Sequence, residues 1–288
     1  MLLGYNTNGF AHHEPIAALE VLAEFGYQSV ALTIDHGCAN PYAADFERQV
    51  ERIAAALERL KLRSVVETGA RFLLDSRTKH EPTLLSAAAE RRAARVDFLR
   101  RSIDVARRLG SDCVSLWSGI LRDGVDEATA WQRLDDGLRR VLDHAMLRDV
   151  VIGFEPEPGM FIDTMTRFDE LSARLDSPLF QLTLDIGHLH CLGETPLADY
   201  VSRYSRRIVN IHIEDMRAGV HDHLMFGEGE IDFPPVLAAL ASAGYRGGLH
   251  VELSRHSHDA PNAARRAAEF LVPLLRETSR RQQVLNLE

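Results

Sequence analysis

Short apolar runs alternate with longer amphipathic segments along the whole chain. The runs are rich in β-branched residues, which is typical of buried parallel strands. The amphipathic segments place apolar residues at helical spacing, with proline near several starts and glycine after several ends. The predicted strands are 2–7, 29–33, 63–67, 113–117, 150–155, 180–184, 207–213 and 248–253. The predicted helices are 15–25, 41–60, 87–109, 128–148, 166–175, 197–204, 234–243 and 262–276.

Eight strand–helix pairs in strict succession predict a parallel sheet, because each parallel connection needs a crossover. Eight such units in 288 residues favour an α/β fold closed into a single (β/α)8 TIM barrel over an open doubly wound sheet. We therefore expect one domain over residues 1–288. The polar loop 68–85 is predicted to be functional or mobile. The polar tail after Arg276 is predicted to fray or to pack on a neighbouring subunit.

The composition narrows the class of protein. A formal net charge of -9 makes a broad surface for nucleic acid or an anionic membrane unexpected. The three cysteines are widely spaced and form no CxxC pair, as in a reducing compartment. No secretory signal pattern begins the sequence, and no apolar stretch is long enough to cross a bilayer. We expect a cytoplasmic protein with no membrane or nucleic-acid partner.

Four of the predicted strands lead into a side chain that commonly binds a metal ion. These side chains are Glu155, Asp185, His212 and Glu252. The carboxyl ends of barrel strands lie on one face, where the catalytic residues of such barrels gather. Any one of the four alone could equally cap a loop or form a salt bridge. Three carboxylates and one imidazole together favour an oxygen-rich site for one divalent cation.

Such a site predicts proton transfer beside a carbonyl group. A divalent ion held in this way keeps positions for substrate oxygens and can stabilise the negative charge of an enediolate. A glutamate can bind the metal through one oxygen and take a proton with the other, so Glu155 and Glu252 are the predicted catalytic pair. The chemistry suits a metal-dependent isomerase or epimerase of a sugar, a sugar phosphate or a polyol-derived ketone. The metal stays open among manganese, magnesium, cobalt and zinc.

The residues around these strand ends also carry a family resemblance. The segments are Gly153-Phe154-Glu155, Leu184-Asp185-Ile186-Gly187-His188, His212-Ile213-Glu214-Asp215 and His250-Val251-Glu252. They are similar to segments of the xylose-isomerase-like TIM-barrel superfamily, which includes sugar and sugar-phosphate isomerases and epimerases, inosose dehydratase and the endonuclease IV branch. The resemblance covers nearly the whole chain, and its motifs are specific to the superfamily rather than to one activity.

The resemblance implies roles for the matching positions. The implied metal ligands are Glu155, Asp185, His212 and Glu252. His188 is implied to bind a substrate hydroxyl, and Arg217 to contact substrate as an arginine does in related epimerases, although its spacing differs. His223 is implied to contact substrate or to order its loop. The position of Glu157 in the proline-rich turn predicts that it bonds a substrate hydroxyl or caps that turn.

Other functions stay open. A second metal ion would use His188, Asp222 and His223, with His221 as an alternative ligand, as in a further zinc site of the endonuclease IV branch. That branch also needs histidines after earlier strands, which this chain lacks there, so a phosphodiester hydrolase is the weaker alternative. An inosose-dehydratase-like lyase would use the same ion but expel a hydroxyl. A non-catalytic sugar-binding barrel would not need two glutamates. A homo-oligomer formed through the outer helices also stays open.

Overall fold

The computed structural model describes residues 1–285, and eight of its strands form a closed barrel. The barrel strands are β1 (Leu2–Asn6), β2 (Ser29–Thr33), β3 (Arg63–Glu67), β4 (Val114–Leu116), β5 (Ile152–Phe154), β6 (Phe180–Asp185), β7 (Ile208–Ile213) and β10 (Gly248–Val251). Strands β8 (Asp215–Arg217) and β9 (Val220–Leu224) form a separate hairpin. The helices are α1 (Pro15–Glu24), α2 (Phe46–Leu60), α3 (Ala89–Leu109), α4 (Glu127–Arg148), α5 (Met165–Leu175), α6 (Ile186–Cys191), α7 (Leu197–Tyr204), α8 (Phe233–Ser242) and α9 (Ala260–Leu285).

The barrel strands pair in the order β1-β10-β7-β6-β5-β4-β3-β2 and close on themselves. The pairing is parallel, as in the registers of Leu3 with Leu249, Leu249 with Ile211, and Val66 with Val114. Parallel pairing places the carboxyl ends of all these strands at one end of the barrel. The predicted (β/α)8 TIM barrel is therefore confirmed.

The chain divides into two compact units. One comprises residues 1–31, 57–63 and those from 184 onward, and the other comprises residues 32–56 and 64–183. Each unit has an apolar core of its own. Our prediction of one domain over residues 1–288 stays a prediction.

In the first unit, α9 packs against α8 and β1. The rings of Phe226, Phe233 and Phe270 form one cluster, with centroids 5.1 to 5.6 Å apart. The Tyr27 hydroxyl donates a hydrogen bond of 2.8 Å to the Ala264 carbonyl and ties the residue before β2 to α9. The closing helix is thus part of the core of this unit.

In the second unit, an aromatic cluster supports β5. Phe154 of β5 packs on Phe180 of β6 with a centroid distance of 5.4 Å, and Phe168 of α5 stacks on Phe180 at 5.8 Å. All three rings are buried. Because Glu155 directly follows Phe154, this cluster fixes the strand end that carries the glutamate.

The helices differ from their predictions by one or two residues at several ends, and by more in three places. The helix predicted at 41–60 begins at Phe46, because the Asn40 side chain accepts a hydrogen bond from the Tyr42 amide (3.0 Å) and holds the preceding residues in a turn. The short helix α6 was not predicted. The closing helix continues to Leu285, so the prediction of fraying directly after Arg276 is wrong. Among the described residues, no helix combines the length and apolar character needed to cross a membrane.

Shortening Phe168 to alanine tests how strongly the aromatic cluster stabilises the protein. The ring is 0 % exposed, so Phe168→Ala loses buried apolar area and leaves a cavity. We expect the free energy of unfolding to fall by about 3–5 kcal/mol, measured by urea unfolding. Met146→Ala, at an exposed side chain of α4, is the control, with a change within about 0.5 kcal/mol. A loss below about 1 kcal/mol at Phe168 would contradict the packing.

Candidate metal centre

The two carboxylate oxygens of Asp185 have different surroundings. Asp185 ends β6 and caps α6, and its Oδ1 accepts a hydrogen bond from the His188 amide at 2.8 Å. Its Oδ2 is buried and accepts no hydrogen bond from an N–H or hydroxyl group of the described residues. That oxygen lies 3.5 Å from His188 Nε2 and 3.9 Å from His212 Nδ1. The helix cap therefore fixes the carboxylate and leaves one oxygen available to a cation.

His212 and Glu252 lie on paired strands. His212 of β7 is in register with His250 of β10, and Glu252 follows β10 directly. His212 Nδ1 is 2.8 Å from Glu252 Oε2. The other glutamate oxygen, Oε1, accepts a hydrogen bond from Asn8 Nδ2 at 2.7 Å. Both residues thus direct a ligand atom toward the same small region.

The structure groups three of the four residues that the sequence singled out. Asp185, His212 and Glu252 of the first unit each offer one ligand atom, and these atoms lie within 4.8 Å of one another. Glu155 is buried, and its backbone amide donates a 2.8 Å hydrogen bond to the Leu116 carbonyl of β4. Their roles as ligands and as a catalytic pair stay predictions.

The electrostatics of the first unit fit a cation. Burial raises the pKa of Glu252, but the electrostatic attraction of His212 and the hydrogen bond from its ring outweigh that effect and leave the pKa well below its usual value. Burial also raises the pKa of Asp185, and the nearby His188, His212 and His223 lower it further than burial raises it. Both carboxylates are therefore ionised at neutral pH. Two ionised carboxylates beside an imidazole match the donor set of a divalent ion.

Three histidines form a second cluster beside Asp185. His188, His221 and His223 each offer a nitrogen, and these atoms lie within 4.8 Å of one another. Nε2 of His188 and Nε2 of His221 are 3.1 Å apart. Burial lowers the pKa of His188 to about 4 and also lowers the pKa of His221. His188 and His221 are therefore neutral at physiological pH.

This arrangement corrects one residue of the predicted second metal site, which consisted of His188, Asp222 and His223. Asp222 does not join the cluster, because its carboxylate forms an ion pair with Arg255. His221 takes the third position beside His188 and His223. Residues at alternate positions of β9 share one face, which places His221 and His223 together and Asp222 on the other face.

Two other predicted substrate residues lie on loops and turns. Arg217 ends β8, is exposed, and its guanidinium donates a hydrogen bond of 3.0 Å to the Glu228 carbonyl. Glu157 lies in the turn after β5, where its amide donates to the Ile162 carbonyl at 3.2 Å. Arg217 thus helps to hold its own hairpin loop, and its predicted substrate contact stays a prediction, as does that of Glu157.

Three residues that the sequence analysis did not assign belong to this region. Asn8 binds Glu252, as described above. Asp215 is buried and accepts hydrogen bonds from the amides of Met216, Gly227 and Ile231, so it clamps the loop that contains the GEG sequence. Glu214 is fully buried, no N–H or hydroxyl group of the described residues donates to its oxygens, and a side-chain hydrogen bond links its carboxyl group to Asp185. The alternation of β7 gives no signal for Glu214, because the residue lies just beyond the strand.

Comparisons with known proteins agree with this geometry. A family model described as xylose isomerase-like TIM barrel matches residues 19–274. L-ribulose-5-phosphate 3-epimerase UlaE of Salmonella paratyphi C (strain RKS4594) is 26% identical over 248 residues, which are 85% of this chain and 84% of the relative. Inosose dehydratase of Lacticaseibacillus casei is 34% identical over 139 residues, 42% of this chain and 46% of the relative. The crystal structure of IOLI protein with a binding zinc atom has a TM-score of 0.75 at 16% identity, and covers 96% of this chain and 99% of that chain.

The fold and the site together define a class of protein. A closed parallel barrel with carboxylates and imidazoles grouped after its strands is a TIM barrel with a candidate metal centre. The chain belongs to the xylose isomerase-like TIM barrel family, since the family model matches most of its length. The resemblance inferred from the strand-end motifs is thereby confirmed.

The buried Glu214 predicts a pH dependence of stability in metal-free protein. Burial, and then the charges of Asp185 and Glu252, raise the pKa of Glu214 well above its usual value. In the unfolded chain the group ionises near its ordinary pKa of about 4.3. Above that pH the unfolded state releases a proton that the folded state keeps, so the free energy of unfolding falls as pH rises. The Glu214→Gln variant has no ionisable side chain at this position, so its free energy of unfolding lacks this decrease with rising pH.

We therefore expect Glu214→Gln to gain stability over the wild type as pH rises from 5 to 8, by up to about 1.4 kcal/mol per pH unit. Urea unfolding in the presence of a chelator measures the difference at each pH. Glu228→Gln changes an exposed glutamate and is the matched control, with a difference that does not vary with pH. A constant difference for Glu214→Gln as well would contradict the raised pKa.

Proposed function

We propose that this protein is a metal-dependent epimerase or isomerase of a sugar, a sugar phosphate or a polyol-derived ketone. The observation that carries the proposal is the buried Asp185 carboxylate, whose Oδ2 accepts no hydrogen bond from an N–H or hydroxyl group of the described residues and lies 3.9 Å from His212 Nδ1. Glu155 and Glu252 complete the set of candidate ligands that the sequence predicts. A set of ionised oxygens around one imidazole favours manganese, magnesium, cobalt or zinc.

Glu155, Asp185, His212 and Glu252 would hold the ion. When bound, the ion supplies a positive charge that draws electron density from a substrate carbonyl and makes the neighbouring C–H acidic. Glu252 is ionised and is held at both oxygens by Asn8 and His212, so it is ready to accept a proton without reorienting. We assign the removal and the return of the proton to Glu252 and Glu155.

The neutral ring of His188 suits the binding of a hydroxyl group. An uncharged imidazole has one donor and one acceptor nitrogen, which matches the donor and acceptor capacity of a sugar hydroxyl. We assign substrate contacts to His188 and His223, which belong to the three-histidine cluster. Arg217 and Glu157 are proposed to contact substrate from the rim, Arg217 after release of its bond to the Glu228 carbonyl.

The relatives support both the reaction class and the ion. The relative that covers 85% of this chain is named as a 3-epimerase of a ketose phosphate. The IOLI structure is described with a bound zinc atom. Epimerisation beside a ketone requires one proton to leave and one to return at the same carbon, which is the task of two carboxylates. A small carbohydrate is thus the proposed partner.

Replacing either glutamate tests the proton transfer. We expect Glu155→Gln and Glu252→Gln each to lower the exchange of the carbon-bound substrate proton with D2O by at least about 10³-fold, because an amide cannot accept that proton. Proton NMR of L-ribulose 5-phosphate, and of a panel of free ketoses, with Mn²⁺ present measures the exchange. Exchange at the wild-type rate in either variant would contradict its assignment.

Glu228→Gln is the control for these variants, since Glu228 is an exposed glutamate that pairs with Arg266. A dehydratase is the second candidate function, and the inosose dehydratase similarity over 139 residues favours it. A dehydratase would exchange or remove the same proton, but its substrate would then lose a hydroxyl group. A product lighter by one water in mass spectrometry, with an inosose as substrate, would replace the epimerase assignment by the lyase.

Metal analysis tests how many ions the protein holds. We expect one divalent ion per chain after EDTA treatment, reconstitution with Mn²⁺ and gel filtration, measured by inductively coupled plasma mass spectrometry. Asp185→Asn is expected to lose most of the bound ion, because it removes the charge of that carboxylate. His221→Ala is expected to retain one ion. Two ions in the wild type and one in His221→Ala would instead place an ion on the three-histidine cluster.

A further inference from the structure

A chain of buried polar side chains runs through the barrel interior to the candidate ligand His212. Ser29 Oγ lies 2.8 Å from His250 Nε2, and His250 Nδ1 lies 2.7 Å from Asn210 Oδ1. Asn210 Nδ2 lies 3.2 Å from His212 Nε2, and His212 Nδ1 lies 2.8 Å from Glu252 Oε2. Ser29, Asn210, His212 and His250 are all at most 1 % exposed. This polar chain belongs entirely to the first unit.

Placing these polar side chains in the barrel interior is energetically unfavourable unless they are paired. Barrel interiors are usually filled by branched apolar residues. Here the ring of His250 lies where a side chain at Gly4 would come within 2.5 Å of it, and a side chain at Gly248 would also collide with it. Burying polar groups is unfavourable unless they are paired, and apolar residues of similar size would need no pairing. Because these residues are paired with His212, a candidate metal ligand, their role is to position that residue.

For neutral imidazoles, these contacts correspond to one set of tautomers. Asn210 Nδ2 is a donor, so a neutral His212 accepts at Nε2 and carries its proton on Nδ1, facing Glu252. Asn210 Oδ1 is an acceptor, so His250 donates from Nδ1. His250 Nε2 then accepts from the Ser29 hydroxyl. In this state a proton occupies the His212 nitrogen that faces the carboxylates.

Binding of an ion at His212 Nδ1 requires the opposite arrangement. The His212 proton must then be on Nε2, which needs an acceptor. Rotation of the Asn210 amide by half a turn presents Oδ1 to His212 and Nδ2 to His250. His250 Nδ1 then accepts, and its proton on Nε2 donates to Ser29 Oγ. Each imidazole carries one proton before and after, so the two arrangements have the same charge, and the hydrogen bond from His212 Nδ1 to Glu252 is given up when that nitrogen binds an ion.

We propose that Asn210 and His250 are positioning residues that couple the tautomer of His212 to occupation of the metal centre, an inference that rests on the proposed metal-dependent function. A ligand histidine needs a partner on its second nitrogen to fix its tautomer and ring orientation. An amide is suited to this role, because it offers a donor in one orientation and an acceptor in the other. His250 and Ser29 keep the far side of the amide paired in both orientations.

The decisive measurement is the tautomer of each histidine by NMR of protein with ¹⁵N-labelled histidine, without metal and with Zn²⁺, which is diamagnetic. We expect both His212 and His250 to carry their proton on Nδ1 without metal. With Zn²⁺, His212 is expected to bind through Nδ1, and His250 to move its proton to Nε2. A His250 tautomer that stays unchanged while His212 binds Zn²⁺ would overturn the coupling. Failure of the wild type to bind Zn²⁺ at His212 would overturn the metal-dependent function and the coupling together.

Two variants test the role of Asn210, with the affinity for Mn²⁺ measured by calorimetry on protein that is metal-free at the start. Asn210→Leu removes the partner of His212 Nε2, and we expect the affinity for Mn²⁺ to fall about 10–100-fold. Asn210→Asp offers acceptors on both sides, so it favours the metal-binding tautomer of His212, and we expect affinity at or above that of the wild type. Asn210→Asp affinity as low as that of Asn210→Leu would overturn the role of the acceptor.

Tyr27→Phe is the matched control, since it removes a buried hydrogen bond from the same unit without touching the polar chain. We expect it to lower the melting temperature while leaving the Mn²⁺ affinity and both tautomers unchanged. If Asn210→Leu does not fold, the tautomers of the wild type and the affinity of Asn210→Asp still decide the proposal. A loss of affinity in Tyr27→Phe equal to that in Asn210→Leu would show a general effect of destabilisation and overturn the specific role of Asn210.

Discussion

Repulsion among buried carboxylates is the constraint on which the rest of this site depends. Asp185, Glu214 and Glu252 are brought together where water cannot screen them, and burial disfavours the charge of each. Without a cation the protein reduces the repulsion in two ways. Glu252 shares the proton of His212, and Glu214 stays protonated. A divalent ion would neutralise the same charges directly, which is why the arrangement favours metal binding over a purely structural role.

Local structure around the strand ends follows from the need to hold these groups rigidly. The cap of α6 uses one oxygen of Asp185, so the other oxygen has a fixed direction. Gly187 in the same helix leaves the space that the Glu214 carboxylate fills, because a side chain there would collide with it. The Asp215 carboxylate then holds the loop after the β8–β9 hairpin through three backbone amides. Preorganisation of this kind means that little reorganisation is needed when an ion or a substrate enters.

The sequence predicted the parts of this structure that local patterns determine. Each predicted strand ended within two residues of the observed strand end, so the barrel and the strand-end positions of residues such as Asp185 and Glu252 followed from the apolar pattern. Asn210 could not be found in this way, since a polar residue within a strand gives no sign of its partner on a neighbouring strand. The choice between His221 and Asp222 depended on a hairpin whose strands are too short to leave a periodic pattern. The register of the hairpin and the direction of its side chains, rather than the residue types, place His221 and not Asp222 in the histidine cluster.

The three-histidine cluster bears on the choice between epimerisation and dehydration. Both reactions begin with loss of a proton beside a carbonyl, and they diverge in what happens to the neighbouring hydroxyl. Expulsion of that hydroxyl needs a strong proton donor, such as an imidazolium. His188 and His221 have nitrogens 3.1 Å apart, with His223 beside them, so a positive charge on one ring is disfavoured by burial and by any charge on the next. Neutral rings at His188 and His221 would hold a hydroxyl in place without protonating it, so in the proposed reaction the proton taken by one glutamate would return to carbon, which supports the epimerase proposal over the lyase.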